Sequence, residues 1–170
     1  MPAGAAHPSG RSKGAQAADG GFISGNGIAV ICEEVTFVET TGAGVYTGSV
    51  DIPAGATIID VKFRNTADWT AATSATLIVG DTEDPNGFYD AINLKATDLV
   101  VGEELNFENL GGKPGVYLVA ATGHRNVYRA AKTKVTAEVT TVGATGNAGR
   151  SRMQVIYAAP AAIVRAATKV

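Results

Sequence analysis

Residues 57–81 read TIIDVKFRNTADWTAATSATLIVGD and decide the fold class. Apolar side chains recur there at every second residue, in two runs separated by a polar break: Ile59, Val61 and Phe63, then Ala75, Leu77 and Val79. Successive side chains of a strand point to opposite faces, so this alternation predicts two strands that each turn one face to an apolar core. The same period returns in residues 132–141 and 151–157.

Turn signals separate eight to ten such strands at intervals of roughly ten residues, and no long amphipathic helix interrupts them. The run Pro53–Ala56 is one of these signals, a tight connection between two strands. We therefore predict an all-β fold, an antiparallel β-sandwich or jelly-roll-like domain over residues 28–158. Residues 1–27 are predicted to be an extended, flexible N-terminal arm, because they are rich in Ala, Gly and Ser, and residues 159–170 a C-terminal tail.

The first strand region, Ile28–Glu39, changes phase along its length. Its apolar residues move from even to odd positions, and the change falls at Glu33 and Glu34. This predicts a β-bulge at the two glutamates. Cys32, the only cysteine, lies on the same parity as Ile28 and is predicted to be a small core residue.

Composition excludes several classes of function. The 14 basic and 16 acidic residues are mixed along most of the chain and give a net charge of −2, which argues against a nucleic-acid surface. There is no run of about eighteen apolar residues to cross a membrane. Residues 1–21 lack the continuous apolar stretch of a signal peptide, so we expect no Sec-type export.

The best candidate for a metal site is the loop that begins at residue 81. Asp81, Asp84 and Asn86 are closely spaced oxygen donors, and a glycine follows at residue 87, so the loop resembles a segment that wraps Ca²⁺. The spacing does not fit an EF-hand. The favoured interpretation is a turn at a strand end, with no metal and no cofactor, and a calcium site is the alternative.

No catalytic residue is predicted. His124 is the only histidine outside the arm, and no Gly-x-Ser-x-Gly elbow accompanies it, so nucleophilic catalysis has no base held against a nucleophile. The glycine-rich segments 25–27 and 143–149 do not stand between a strand and a helix and lack the Gly-Lys-Ser/Thr ending of a phosphate loop. We interpret them as turns.

Several residues are candidates for contacts with a partner. The arm carries two cations and the first large apolar residues of the chain, a loop carries the only tryptophan, and two arginines near Lys132 and Lys134 form a modest basic cluster. The tryptophan either caps one end of the sandwich, with its N–H bonded to a loop carbonyl, or contacts a partner. The cluster either docks on an acidic neighbour or is a solvated face. The candidates are Arg11, Lys13, Phe22, Ile23, Trp69, Arg125 and Arg129.

The chain also resembles a family of small structural proteins of tailed bacteriophages. The resemblance covers roughly residues 28–158. The matching segments are VYTGSVDIPAGATI at 45–58, WTAATSATL at 69–77, VGD at 79–81, GF at 87–88, LKATDL at 94–99 and VTTVGATG at 139–146. It implies a virion component made in the host cytoplasm, most specifically a capsid decoration, or cement, protein on the capsid surface. No catalytic residues come with it.

The partner implied by the resemblance is the major capsid protein, and the chain is expected to form a homo-oligomer, with a trimer favoured. We expect neither a nucleic-acid nor a membrane partner. A tail or head-fibre component is one alternative. A carbohydrate-binding sandwich is another, in which Trp69, Phe88 and Tyr89 are the aromatic residues near a loop end.

Overall fold

The computed structural model describes residues 22–23, 27–42, 44–95, 98–119, 127–143 and 146–160, and only the backbone of the first pair. These residues contain no helix. Their ten strands are β1 (Phe22–Ile23), β2 (Ile28–Val38), β3 (Gly44–Ile52), β4 (Ala56–Ala67), β5 (Ser74–Gly80), β6 (Tyr89–Asn93), β7 (Glu104–Leu105), β8 (Tyr128–Arg129), β9 (Thr133–Val142) and β10 (Arg150–Pro160).

The strands form two antiparallel sheets. Sheet A has the order β1-β2-β10-β4-β7, with β8 also paired to β4, and sheet B has the order β3-β9-β5-β6. Apart from the consecutive pairs β1–β2 and β5–β6, most neighbouring strands in the two sheets are distant in sequence, because the chain passes back and forth between the sheets. The predicted all-β antiparallel sandwich is confirmed.

Alternation along the strands creates the core between the sheets. In β9, where the sequence shows the same alternation over residues 132–141, Val135, Ala137 and Val139 are fully buried. Gly48 in β3 marks a close approach of the sheets, because a Cβ there would lie 2.4 Å from Cγ1 of Val35 in β2. Only glycine leaves room for β2 and β3 to pack face to face at this edge of the sandwich.

The predicted bulge in β2 is wrong. The strand pairs with β10 without a register shift from Ile28 opposite Pro160 to Val38 opposite Arg150. Residues at odd positions face the core along the whole strand, so Cys32 is exposed and its assignment to the core is wrong. Both predictions failed because apolar side chains occupy both faces of the first half of β2.

A bulge occurs in β4 instead. The register with β10 shifts between Ile156, which lies opposite Asp60, and Tyr157, which lies opposite Ile58. The extra residue, Ile59, is 48% exposed, whereas Ile58 and Val61 are buried. The prediction that Ile59 faces the core is therefore wrong, because the bulge reverses the parity of the strand at this point.

Trp69 closes one end of the sandwich, as one of its two interpretations expected. The indole is 1% exposed and packs edge-on against Tyr46, with ring centroids 5.2 Å apart. Its Nε1 donates to Oγ of Ser151 at 2.8 Å, and that hydroxyl donates to Oδ1 of Asn65 at 3.0 Å. The acceptor is thus a side-chain hydroxyl rather than the expected loop carbonyl.

Glu39 holds the loops together at the same end. Its buried carboxylate accepts hydrogen bonds from the backbone N–H groups of Thr70, Ala71 and Gly149 and from the Thr70 hydroxyl. A Cβ on Gly146 would overlap this carboxylate. Burial alone would raise the pKa of Glu39, but these hydrogen bonds together hold the pKa below its ordinary value.

The predicted domain borders differ slightly from the strands. Phe22 and Ile23, inside the predicted arm, pair with Val30 and Ala29 of β2, and β10 extends to Pro160, inside the predicted tail. The rest of the arm before Gly27 and residues 161–170 lie outside the described residues. In the part of the chain that the structure describes, no helix is long and apolar enough to cross a membrane.

Candidate docking surface

The outer face of sheet A divides into two halves of different chemistry. The strand register arranges its side chains in rows that cross β2, β10 and β4. We call the charged half the rows made by Glu34, Arg152, Gln154, Lys62, Arg64 and Glu104. We call the apolar half the rows made by Ile28, Val30, Cys32, Ile156, Ala158, Thr57, Ile59 and Tyr128. These rows also contain Asp60, which lies opposite Ile156 and accepts a hydrogen bond from the backbone N–H of Phe107.

The charged half pairs its own charges. Glu104 of β7 accepts from Lys62 Nζ at 3.0 Å and from the Arg64 guanidinium. Glu34 lies 3.4 Å from Nη1 of Arg152 and accepts from Nε2 of Gln154 at 2.8 Å. The side chains that make these contacts line a shallow depression on the face. The half therefore offers little unsatisfied charge to a ligand.

The ionisation of the charged half follows from this pairing. Partial burial alone would raise the pKa of Glu104, but the hydrogen bonds and charges of Lys62 and Arg64 outweigh it and lower the pKa. The hydrogen bond to Glu104 raises the pKa of Lys62. Both shifts favour the charged forms, so neither Glu104 nor Lys62 is prepared to exchange a proton near neutral pH.

Among the described residues, no ion pair joins side chains within the apolar half. One row runs from Val30 through Ala158 and Thr57 to Tyr128, across β2, β10, β4 and β8. Tyr128 is 61% exposed and Ile28 47%, and the bulge adds Ile59 between the rows. Exposed aromatic and branched apolar side chains grouped on one flat face are typical of a protein interaction surface.

Sheet B presents a different outer face. Hydroxyl side chains dominate it, among them Thr47, Ser49 and Thr136, and they alternate with the buried residues of β3 and β9. Asp51 lies 3.6 Å from Lys132 and 3.9 Å from Lys134. Among the described residues, the concentrated apolar surface thus belongs to sheet A.

The predicted metal ligands are engaged within the protein. Oδ1 of Asp81 accepts from the backbone N–H groups of Glu83 and Asp84 and from the Tyr117 hydroxyl. Oδ2 of Asp81 lies 2.6 Å from Nη1 of Arg129. The guanidinium at this distance opposes a bound cation. No group of three or more His, Cys, Asp or Glu side chains suited to a metal occurs in the described ranges.

The remaining loop residues of this candidate site behave as a turn. Oδ1 of Asp84 accepts from the backbone N–H of Asn86 at 3.3 Å. The carbonyl of Asp84 accepts from the N–H groups of Asp81 and Gly87. A Cβ on Gly80 would overlap the Asp84 carbonyl, so glycine is required where this turn folds against the end of β5. The side-chain and backbone oxygens thus serve the turn geometry.

The candidate contact residues lie in different environments in the structure. Arg129 is buried, pairs with Asp81 and lies 5.9 Å from the ring centroids of Phe88 and Tyr117. Trp69 is also buried. Neither side chain has surface to present to a partner. Phe22 and Ile23 lie on β1 at the edge of sheet A. The other calls, on Arg11, Lys13, Arg125 and the two histidines, lie outside the described residues.

Burial also bears on the carbohydrate alternative. The three aromatic residues considered for sugar stacking, Trp69, Phe88 and Tyr89, all lie in the core. The Tyr89 hydroxyl donates to the Val61 carbonyl, and burial raises the pKa of this tyrosine. Stacking on a sugar requires an exposed ring, so these three side chains do not form a glycan platform in this structure.

Sequence reasoning missed the apolar half, although it named two of its strands. Ile28 and Ile59 were assigned to the core because they are apolar and lie in alternating segments. No alternating pattern marks Tyr128, since it lies in a strand of only two residues. The one clue in the sequence was that apolar residues occupy both parities at Ile28–Ile31 and at Ile58–Ile59, where a single buried face needs only one.

Comparison with known proteins adds one result. No protein-family model matches the chain, and no curated protein matches its sequence. A chain in the capsid asymmetric unit of cyanophage Pam1 is similar in structure, with 24% identity, a TM-score of 0.51 and coverage of 93% of this chain and 94% of that one. The two chains share a fold.

Two other phage capsid structures contain weaker matches. A chain in the acid-stable capsid of Helicobacter pylori bacteriophage KHP30 is 15% identical, with a TM-score of 0.41 over 76% of this chain and 94% of that one. A chain in the capsid of Ralstonia phage GP4 is 16% identical, with a TM-score of 0.44 over 78% of this chain and 83% of that one. Since both TM-scores lie below 0.5, the shared fold depends on the Pam1 match.

Proposed function

We propose that this protein is a non-enzymatic structural component of a phage virion. More specifically, we propose a capsid decoration protein that binds the outer surface of the head and bridges subunits of the major capsid protein. The observation that carries the proposal is the fold shared with a chain of the Pam1 capsid asymmetric unit over almost the whole length of both chains.

The extent of the match supports this proposal. The match covers 93% of this chain and 94% of the other, so the shared fold accounts for nearly all of both chains. The strand orders β2-β10-β4-β7 and β3-β9-β5-β6 also support a jelly-roll-like arrangement, an architecture that recurs in viral capsid domains. A fold alone does not define a function, so the surface must supply the specific hypothesis.

The apolar half is the proposed contact with the capsid shell. Tyr128 and Ile59 are exposed there, whereas both carboxylates of the charged half are already paired within the face. An exposed aromatic residue on the same face as branched apolar side chains is typical of a binding hot spot. Three copies around a threefold axis of the head would each lay this half on neighbouring shell subunits, and closed symmetry would fix their number.

A heating experiment on particles tests the proposal. Heads stripped of the protein are divided, and one portion is incubated with the purified full chain before both are heated. We expect bound copies and a higher temperature of DNA release in the treated portion. Heads that bind no protein and rupture at an unchanged temperature would contradict the decoration role.

The copy number in purified virions separates the alternatives. Quantitative mass spectrometry against the major capsid protein should find hundreds of copies of a decoration protein. A few copies per particle would instead indicate a tail or head-fibre component, and absence from the virion would contradict the structural role altogether.

A further inference from the structure

Tyr128 of the apolar half lies in a strand of only two residues, β8, which pairs with the start of β4. The Ile58 N–H donates to the Val127 carbonyl at 2.7 Å, and the Gly55 N–H donates to the Arg129 carbonyl at 2.6 Å. The Tyr128 side chain is 61% exposed, so its own burial contributes little to fixing the strand. A strand this short needs a further anchor to keep one position.

The other residue of β8, Arg129, supplies this anchor. Adjacent side chains of a strand point to opposite faces, so Arg129 points into the sandwich where Tyr128 points out of it. Arg129 is 7% exposed, its Nη1 lies 2.6 Å from Oδ2 of Asp81, and its guanidinium lies 5.9 Å from the ring centroids of Phe88 and Tyr117. Asp81 directly follows β5 of sheet B, whereas β8 belongs to sheet A, so this ion pair joins the two sheets.

The carboxylate of this ion pair is itself held in place. Oδ1 of Asp81 accepts from the backbone N–H groups of Glu83 and Asp84 and from the Tyr117 hydroxyl. These three donors belong to the turn after β5 and to a loop that packs on it, so they orient the carboxylate independently of Arg129. The guanidinium therefore meets a fixed partner, and the backbone of β8 takes the position that this contact allows.

The ion pair is poorly suited to a role in stability alone. Nε and Nη2 of Arg129 are buried and have no hydrogen-bond acceptor in the part of the chain that the structure describes. Burying donors without acceptors costs free energy, and apolar side chains of similar volume often replace a buried ion pair without loss of stability. An apolar side chain would fill this space, but it would have no single partner to fix its position. The geometry thus favours a role in specifying where β8 lies.

We propose that the ion pair between Asp81 and Arg129 positions Tyr128 on the apolar half, so that the aromatic ring is in place before a partner covers it. A side chain and its strand that became ordered only on binding would reduce the binding free energy, and a strand fixed in advance avoids this cost. Arg129 is thus a positioning residue, and Tyr128 makes the contact. The contact of Tyr128 with a capsid shell rests on the proposed function, whereas the fixing of β8 by the ion pair does not.

Hydrogen exchange tests whether the ion pair fixes β8. Arg129→Met removes the guanidinium, and the double variant Asp81→Asn with Arg129→Met removes both charges, so that no unpaired carboxylate remains buried. The Gly55 and Ile58 amides donate to carbonyls of residues 127–129. We expect these two amides to exchange at least about tenfold faster in both variants, relative to amides in the centre of β10.

Glu39→Gln is the matched control for exchange. Glu39 binds the loop before β5, whereas Asp81 follows β5, so the control disturbs a buried carboxylate at the opposite end of the sandwich. It should change the Gly55 and Ile58 amides no more than it changes the amides of β10. The double variant decides the test if Arg129→Met does not fold. Unchanged relative protection in the double variant, or its failure to fold, would overturn the positioning role.

Binding to stripped heads tests the link to Tyr128. The double variant Asp81→Asn with Arg129→Met should weaken binding by a factor similar to that of Tyr128→Ala, because each change removes the ring from its place. Adding Tyr128→Ala to the double variant should weaken binding by no more than about twofold further, since changes that act through one side chain are not additive. Losses that multiply, or unchanged binding by the double variant, would overturn the positioning role. If the unchanged protein binds no heads, the proposed function fails, and the exchange result still decides whether the ion pair fixes β8.

Discussion

The charged half and the apolar half of sheet A's outer face lie on the same strands, yet their side chains have opposite relations to their neighbours. In the charged half, Glu104 and Glu34 each meet basic or amide partners within the face. In the apolar half, Ile28, Ile59 and Tyr128 stand about half exposed or more, with no apolar layer above them among the described residues. Only a few residues along each strand separate the paired charges from the uncovered apolar side chains.

The difference shows how a β-sandwich that is stable alone can carry a contact surface. Paired charges at a solvated surface contribute little to stability, but they make the surface soluble and leave nothing to recruit a partner. Exposed branched and aromatic side chains gain free energy only when another surface covers them. Substitutions in the apolar half should therefore weaken binding, whereas substitutions in the charged half should change binding and stability little.

The largest expected effect is on binding, from the double variant Ile59→Lys with Tyr128→Ala. A lysine charge and the loss of the aromatic ring should weaken binding to heads by at least about 100-fold, since hot-spot side chains contribute about 2 kcal/mol or more each. Binding is measured by co-sedimentation with stripped heads.

Val45→Lys is the matched control for this variant. Val45 is 59% exposed on the outer face of sheet B, so the substitution adds a lysine at similar exposure on the opposite side of the sandwich. Val45→Lys should bind as the unchanged protein does. Equal loss of binding in the two variants would assign the effect to net charge rather than to the apolar half.

The next largest effect is on stability, and it comes from Glu39, which lies in neither half. Glu39→Gln should lower the free energy of unfolding by about 2 kcal/mol, because hydrogen bonds to a buried charged group are worth about 1.5–3 kcal/mol and the amide fits the four donors poorly. Urea denaturation followed by tryptophan fluorescence measures it, since Trp69 lies at the same end. Glu34→Gln on the charged half is the control and should cost less than half as much.

We also expect the stability contribution of Glu39 to depend on pH. The pKa of Glu39 in the folded protein lies below the value of 4.5 expected in the unfolded chain, so its contribution is complete above pH 4.5 and is lost as the pH falls through the lower folded value. The stability difference between the unchanged protein and Glu39→Gln should therefore shrink on acidification below pH 4.5. A difference that stays constant down to pH 3 would contradict the proposed cause.

The smallest effect is expected inside the charged half. Glu104→Gln removes one carboxylate from Lys62 and Arg64, whose side chains are 30% and 54% exposed, so water can replace the lost partner. We expect a stability loss of about 1 kcal/mol or less, which decreases with added salt, and unchanged binding to heads. Impaired binding by this variant would mean that the charged half also contacts the shell.

Local pattern predicted much of the fold. The alternation in β9 correctly separated Val135, Ala137 and Val139 from their exposed neighbours, and the turn after Pro53 forms with Gly55 at a φ of 80°. Glu39 and Ser151 gave no such signal, because each is polar and becomes buried only through partners far away in the chain. The candidate surface was missed for the same reason, since exposure depends on which strands become neighbours.

By itself, the sequence determined that the chain forms short antiparallel strands with one apolar side, because side-chain alternation and turn preferences act between near neighbours. Tertiary structure decided which side is inside. The unbroken pairing of β2 with β10, and the bulge that turns Ile59 outward in β4, join residues about 100 positions apart. A one-residue change of register reverses every side chain beyond it, and only the partner strand sets that register.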